Sequence, residues 1–332
     1  MYDSFKQYTM KRSSYVLLCI LIFFIKIKRQ FTAHKTISRI ILVLTVLDLK
    51  TARSKQMYIV GGKEVDIKTH PYVVSIIIKY NERISFRGAA TIVHRRFAMS
   101  TAATIHFIAP IMIKNKLVYL RGNTANWSDG VTGKDHRIDY IVPHDGFNEV
   151  TLEDDFAIIK VKEPFNGPNE RLIHIARRDY KYAGSATIFG WGSIAPEKIK
   201  EVDILQAVTV DIWNTKKCRE VYNVKDATVI VTNSMLCAGN EGKDTCTKDG
   251  GGPMVQNNIL IGIISWGFEC GNAKYPSVYS NISYFDVFIK RTEKNNDVKF
   301  MRNKNRILGN QDYDDYYCRK STSNNNEEDY YF

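Results

Sequence analysis

The 332-residue sequence lacks an apolar run long enough to cross a membrane. Its longest such run, Tyr15–Ile25, has 11 residues, whereas a membrane-spanning helix needs ~20. Glycine is scarce at 20 residues, and charged residues make up only 25% of the chain against 44% apolar residues. These proportions exclude a collagen, a coiled coil and a chain that is disordered throughout, and they leave enough apolar side chains for a sizeable core.

The basic excess of the chain lies mainly at its N-terminal end. The net charge is +12, yet residues 1–58 alone contain 11 basic and 2 acidic residues. Residues 59–293 contain 29 basic and 26 acidic residues, and residues 294–332 contain 7 of each. Because the long middle segment is nearly balanced, we expect no nucleic-acid partner.

Both ends differ in composition from the middle. Tyr15–Ile25 follows two basic residues, which is the order of a secretory signal, although no A-x-A-like cleavage site follows. We interpret residues 1–58 as a signal/propeptide-like segment and expect a secreted, extracellular protein with no stable membrane span. A short anchor and a mitochondrial transit peptide are the alternatives.

Residues 294–332 are rich in Asn, Asp, Lys and Tyr and predict a disordered polar tail. Within them, residues 312–317 read Asp-Tyr-Asp-Asp-Tyr-Tyr and form the acidic tyrosine segment. This segment is either solvated or a modification or docking site.

Short β-prone runs separated by turn residues recur through the middle of the chain. They are Tyr72–Ile78, Ala186–Phe189, Ile204–Ile212, Ile259–Trp266 and Val278–Tyr279. The pattern predicts one all-β domain over residues 59–293. Asn281 then precedes apolar residues at helical spacing, which predicts a single closing amphipathic helix capped by Asn281. Those apolar residues are Ile282, Phe285, Phe288 and Ile289.

Eight short motifs follow one another along the middle segment. They are Ile59–Gly62, Ser100–Ala103, Asp155–Ile159, Gly190–Gly192, Met235–Gly239, Asp244–Cys246, Asp249–Pro253 and Ser265–Gly267. In this order they resemble the trypsin/chymotrypsin family of serine proteases. The resemblance implies two six-stranded antiparallel β-barrels with a cleft between them and a C-terminal helix, and it implies no cofactor and no metal.

The resemblance also assigns the catalytic positions, and only one of the three keeps its reactive side chain. The nucleophilic serine falls on Gly250, and the histidine base falls on Ala103 or Thr104, depending on one gap. Asp155 remains as the third member of the triad. Ala103 and Asp155 are 52 residues apart and Asp155 and Gly250 are 95 residues apart, close to the template's ~45 and ~93. We expect His106 to be a loop histidine that lies too far from the catalytic positions to form the hydrogen bond that a general base needs.

Two further parts of the family's machinery are altered in this sequence. Lys248 replaces a glycine at the oxyanion hole formed with Gly250, and its Cβ restricts the backbone there. Cleavage before Ile59 would free an amine for Asp249, but Tyr58 precedes the bond. We therefore expect activation by a chymotrypsin-like enzyme or no cleavage at all.

The specificity pocket is better preserved than the catalytic residues. By resemblance, Asp244 at its base selects Arg or Lys side chains. Ser265, Trp266 and Gly267 correspond to one wall, and Ser277 replaces a glycine on the other wall and should narrow the pocket. We expect weak binding of a basic side chain to survive.

Among the six cysteines, the resemblance implies two disulfides, Cys218–Cys237 and Cys246–Cys270. The bridge that normally anchors the histidine loop is absent, and Cys19 and Cys318 are left over. N-x-S sequons at Asn126 and Asn281 predict glycosylation, unless Asn281 is occupied as the helix cap.

These observations favour a secreted, catalytically inactive trypsin-like homologue. Such a protein would act by binding proteases, protease inhibitors or cascade zymogens. Two alternatives remain open: an active serine endopeptidase with Arg/Lys specificity, and an unrelated surface- or carbohydrate-binding module.

Overall fold

The structure is a computed structural model that describes residues 62–192, 202–225, 229–243, 249–268, 272 and 274–302. The predicted signal/propeptide segment, residues 1–58, therefore lies outside the described residues. No helix within the described ranges combines the length and the apolar character that a membrane crossing requires.

The first half of the described chain is a closed six-stranded barrel. Its strands follow the short β1 (Lys63–Glu64) and are hydrogen-bonded in the order β2-β3-β4-β7-β6-β5, with β5 pairing back onto β2. They are β2 (Val73–Tyr80), β3 (Arg83–His94), β4 (Phe97–Ser100), β5 (Val118–Gly122), β6 (Lys134–Pro143) and β7 (Ala157–Val161). Closure leaves none of these six strands with a free edge.

Strand β2 is apolar on both faces because it serves two cores. Successive side chains of a strand point to opposite faces. Val74 and Ile76 pack with the interior of the barrel, whereas Val73 and Ile77 pack with the cluster that the second sheet shares. The sequence therefore shows a continuous apolar run here instead of simple alternation.

The second half forms an eight-stranded sheet in the order β1-β10-β9-β12-β13-β14-β11, with β8 parallel to β13. Its strands are β8 (His174–Ile175), β9 (Ser185–Gly190), β10 (Gln206–Asp211), β11 (Met235–Ala238), β12 (Pro253–Gln256), β13 (Ile259–Trp266) and β14 (Ser277–Asn281). A bridge between Ile212 and Ala238 joins the end of β10 to β11, which brings six of these strands round into a ring. The all-β prediction is confirmed.

Four helices are described, and the last of them is the C-terminal helix that the sequence predicts. They are α1 (Ala102–Ile105), α2 (Pro110–Lys114), α3 (Thr215–Lys225) and α4 (Asp286–Asn295). Helix α3 buries Cys218 and Tyr222, and the implied disulfide joins Cys218 to Cys237 of β11. Seven of the eleven residues of α3 are polar, and the segment was not predicted as a helix from the sequence.

Asn281 does not cap the closing helix, contrary to the prediction. It is the last residue of β14, and helix α4 starts at Asp286 after an intervening turn. The side chain of Asn281 is committed elsewhere, because its Oδ1 accepts from Tyr182 and its Nδ2 donates to the carbonyl of Asn233. The apolar residues predicted for the helix face are nevertheless all buried.

The first part of the predicted tail packs onto the domain. Phe300 is only 3% exposed and lies 5.5 Å, centroid to centroid, from Phe97 of β4. Its backbone N–H donates to Glu293 of α4, which also pairs with Arg302. A single well-placed aromatic residue fixes this segment, which average composition could not reveal. Residues 303–332 lie outside the described residues, where disorder stays a prediction.

Replacing Phe300 with alanine should lower the free energy of unfolding by about 3 kcal/mol, because the substitution empties a buried aromatic site. Urea denaturation of the full chain measures the change. Phe107→Ala is the matched control, since Phe107 is 74% exposed and its loss should cost no more than about 0.5 kcal/mol. Equal effects at both positions would show that residues 296–302 add nothing to the fold.

Candidate functional site

The candidate site lies where the first barrel meets the second sheet. Ser100 of β4 pairs with Ala157 of β7, so the residues just after β4 and just before β7 are neighbours. These residues are Ala103 and Asp155. A backbone hydrogen bond joins the first barrel to the second half of the chain here, because the N–H of Ala89 in β3 donates to the carbonyl of Gly250 at 3.0 Å.

Asp155 is a buried carboxylate, 3% exposed, that is held only by neutral donors. Its Oδ1 accepts from the backbone N–H of Ala103 at 2.6 Å, and its Oδ2 accepts from the hydroxyl of Ser265 at 2.5 Å. Within the described ranges no cationic side chain forms an ion pair with it. Burial raises the pKa of Asp155 to about 6, and the hydrogen bonds from Ser265, Ala103 and Ala102 oppose this shift.

Ala103 and Thr104 face different neighbours. Ala103 is half-buried and its N–H contacts Asp155. Thr104 is 8% exposed, and its hydroxyl lies 2.7 Å from that of Thr101 at the start of α1. Of the two positions that the sequence left open for a base, only Ala103 has its backbone against the carboxylate.

The side chain of Thr104 lies between two glycines, Gly88 and Gly250. We call the arrangement of these three residues the threonine slot. A Cβ added to Gly250 would lie 2.6 Å from Oγ1 of Thr104, and a Cβ added to Gly88 would overlap Cγ2 of the same threonine. Real Cβ atoms do not approach other atoms so closely, so each glycine is needed to admit Thr104. A side chain at position 250 would therefore require Thr104 to move.

His106 does not reach the carboxylate of Asp155. Its Nε2 lies 3.0 Å from Oε2 of Glu149, and its side chain is 43% exposed. The ring contacts those of Phe107 and Phe147. His106 thus belongs to an exposed loop cluster.

Asp249 is fully buried beneath the Gly190–Gly192 turn. Its Oδ1 accepts from the backbone N–H of Gly192 at 2.7 Å. A Cβ on Gly190 or on Gly192 would collide with the carboxylate, which explains why glycine flanks Trp191 on both sides. The predicted partner Ile59 lies outside the described residues.

The predicted wall of the specificity pocket follows the end of β13. Ser265 and Trp266 end the strand, Gly267 follows, and Ser277 is buried on the adjacent β14. The predicted residues Asp244, Lys248, Cys246 and Cys270 lie outside the described residues. Their roles and the second disulfide stay predictions.

An aromatic cluster behind this wall was missed by the sequence analysis. Tyr222 of α3 lies 5.1 Å from Trp266 and 5.5 Å from Phe268 between ring centroids, and its hydroxyl donates to the carbonyl of Pro276. Tyr222 is more than forty residues from Trp266 and Phe268 along the chain, so no local pattern could join it to them.

The two sequon asparagines are both half-buried. Oδ1 of Asn126 accepts from the backbone and the hydroxyl of Ser128. Nδ2 of Asn281, the atom a glycan would use, already donates to Asn233. Glycosylation at either residue stays a prediction.

Within the described ranges, no group of three or more His, Cys, Asp or Glu side chains lies close enough together to hold a metal ion.

Replacing Asp155 with asparagine should stabilise the protein above neutral pH. A buried aspartate with a pKa raised from 3.8 to about 6 destabilises the fold where it is ionised, because the folded state holds the proton more tightly. This loss of unfolding free energy is absent below pH ~4, grows as the pH rises to ~6, and reaches about 3 kcal/mol above that pH.

Urea denaturation at pH 4 and pH 8 tests this expectation. Asp155→Asn should gain about 1–3 kcal/mol over the unaltered chain at pH 8 and lose that gain at pH 4. The control is Asp145→Asn, an aspartate whose side chain is 71% exposed, and it should show little difference between the two pH values. A destabilised Asp155→Asn protein at pH 8 would contradict the expectation.

Comparison with known proteins agrees with this architecture. The family model for trypsin matches residues 59–289. Trypsin epsilon of Drosophila erecta is 30% identical over 240 residues, covering 71% of this chain and 88% of that protein. The venom peptide isomerase heavy chain of Agelenopsis aperta is 33% identical, covering 70% and 99% of the two chains.

Among solved structures, mouse neuropsin, described as a serine protease, superposes with a TM-score of 0.60 at 24% identity. The superposed region covers 70% of this chain and 99% of the neuropsin chain. This likeness confirms the predicted fold. With the family model spanning well over half of its length, the chain belongs to the trypsin family of serine proteases.

Proposed function

We propose that this member of the serine endopeptidase family is a secreted homologue that binds proteins without cleaving them. The observation that carries the proposal is the threonine slot. Position 250, where the family carries its nucleophile, is a glycine, and the space that a Cβ would need there lies against Thr104. The side chain of Thr104 occupies the space that a side chain at position 250 would need.

The second support is the environment of Asp155. In a triad the aspartate orients and stabilises an imidazole, whereas here the residue whose N–H contacts Asp155 is Ala103. Ala103 carries only a methyl group, which cannot take up a proton. We assign Ala103 to the position of the family's base and Thr104 to the position after it.

Losing the serine or the histidine of such a triad costs about 2 × 10⁶-fold in kcat, and losing both costs little more. Starting from a typical kcat of about 10 s⁻¹, the remaining rate is on the order of 10⁻⁵ to 10⁻⁶ s⁻¹. One turnover in days is too slow for a working protease.

Binding is supported by the packing at the predicted wall of the pocket. The ring of Trp266 contacts those of Tyr222 and Phe268, which holds it in place for contact with a bound segment. We propose proteases, protease inhibitors or cascade zymogens as partners, with a basic side chain directed towards Asp244.

Secretion is supported by the signal-like run at Tyr15–Ile25 and by the Cys218–Cys237 disulfide, since disulfides persist in oxidising compartments.

The alternative of a module unrelated to proteases is wrong, because the trypsin model spans residues 59–289. An active endopeptidase remains the second candidate, favoured by relatives that carry the name trypsin.

A fluorophosphonate probe, which labels activated serines, separates these two candidates. An engineered cleavage site that frees Ile59 removes the question of activation. We expect no labelling of the processed protein and arginyl-ester hydrolysis no faster than on the order of 10⁻⁵ s⁻¹. Labelling mapped to any serine of this chain, with hydrolysis at ordinary enzymatic rates, would support the active protease instead.

A double-mutant cycle tests the threonine slot. Gly250→Ser should destabilise the protein by about 1–3 kcal/mol through overpacking. In a Thr104→Ala background the same substitution should cost at least about 1 kcal/mol less, because Cβ of residue 104 lies 4.0 Å from the new Cβ. Urea denaturation of the four proteins measures the coupling.

Gly130→Ser is the matched control for this cycle. A Cβ on Gly130 would meet its nearest neighbour at 3.7 Å, which is ordinary van der Waals contact. Its effect should be small and the same with Thr or Ala at position 104. Additive effects of Thr104→Ala and Gly250→Ser would argue against a filled slot.

A further inference from the structure

A groove with basic walls lies between the end of α2 and strands β5 and β6, with a cavity volume of about 200 Å³, and its lining also includes Asp139. We call it the basic groove. Its cationic residues are Lys114, Lys116, Arg137 and Lys162, and its apolar lining includes Ile113 and Val118. The lysines come from the end of α2 and from the residue that follows β7, and Arg137 comes from β6.

Two of the four cations have no acidic partner among the residues that the structure describes. Arg137 pairs with Glu163, and Nζ of Lys162 lies 4.0 Å from Asp139. Lys114 and Lys116 are exposed and form no ion pair with any residue in the described ranges. The groove therefore carries uncompensated positive charge beside an apolar floor. A ligand that fits it has both carboxylates and flat apolar groups.

The acidic tyrosine segment at 312–317 has this chemistry. It places three carboxylates and three phenol rings within six residues. Carboxylates form charge-assisted hydrogen bonds with lysine and arginine. Aromatic rings pack on apolar side chains and also attract cations over their faces.

The residue that follows α4 brings the chain close to the groove. Oδ1 of Asn296, just after α4, accepts from Nζ of Lys160 at 3.3 Å. Asp139 lies 4.0 Å from both Lys160 and Lys162. A continuous series of polar contacts therefore runs from the end of α4 across β7 to the wall of the basic groove.

The connecting chain is long enough to reach it. Arg302 is fixed by its ion pairs with Glu293, and Asp312 follows ten residues later. An extended chain of that length spans up to ~33 Å. Phe300, two residues before Arg302, packs on Phe97, whose strand partner is Lys160. Lys160 and Lys162 are separated by only ~7 Å along the chain.

We propose that the acidic tyrosine segment of the same chain docks in the basic groove. Its carboxylates contact Lys114, Lys116 and Lys162, and its rings lie against the apolar lining. The docked segment shields the groove from acidic partners. This site is independent of the triad positions and of the proposed loss of catalysis.

Lysine footprinting by acetylation, read by mass spectrometry, tests the docking in the full chain. The triple variant Asp312→Asn/Asp314→Asn/Asp315→Asn should increase the acetylation rates of Lys114, Lys116 and Lys162 by about fivefold, equivalent to about 1 kcal/mol. Salt at 1 M should have the same effect, since it shortens the Debye length to ~3 Å. Lys216 and Lys217 of α3 serve as internal references that should not change.

The matched control is the variant Glu327→Gln/Glu328→Gln/Asp329→Asn, which removes the same number of carboxylates from the same end of the chain. It should leave all of these rates unchanged. Unchanged rates in the first variant, or equal increases in both, would overturn the proposal. Equal melting temperatures for all three proteins establish that the fold is unaffected.

Carbodiimide crosslinking of mixed ¹⁴N- and ¹⁵N-labelled chains distinguishes the occupant. Docking within one chain gives crosslinks between residues 312–315 and the groove lysines that carry a single isotope. Crosslinks of mixed isotope composition would assign the groove to a second copy of the protein and overturn docking within one chain. The absence of any such crosslink would also overturn it.

Discussion

The buried carboxylate of Asp155 connects the two halves of the domain. One oxygen accepts from Ala103, which follows a strand of the first barrel, and the other accepts from Ser265 in the second sheet. Its own carbonyl accepts from Ser280 on the neighbouring strand. Three polar contacts from two sheets therefore converge on one residue, and they hold the cleft in the family's arrangement even though the residue beside the carboxylate is an alanine.

Much of the fold could be predicted from the sequence because the motifs keep the family's order and because the strands carry dense runs of Val and Ile. Elements whose stability comes from distant partners could not. Helix α3 depends on Cys218 and Tyr222 reaching β11 and the pocket wall. The segment after α4 depends on Phe300 meeting Phe97. Asn281 has the composition of a helix cap, but its side chain bonds within the sheet region instead.

The candidate site was predictable in part for the same reason. A glycine at position 250 is evident from the sequence, whereas the choice between Ala103 and Thr104 depended on a gap that only geometry fixes. The backbone contact to Asp155 is the observation on which the proposed assignment to Ala103 rests. The aromatic packing behind Trp266 and the filled space beside Gly250 involve residues far apart in the chain, so neither could be read from local spacing.

The packing of Thr104 between Gly88 and Gly250 has a consequence for how substitutions combine. A side chain at position 250 would meet an occupied space, so its cost depends on the residue at position 104. A smaller residue at position 104 makes room for a side chain at position 250, and the two substitutions are therefore tolerated better in one order than in the other. The evolutionary path open to position 250 is set by its neighbour.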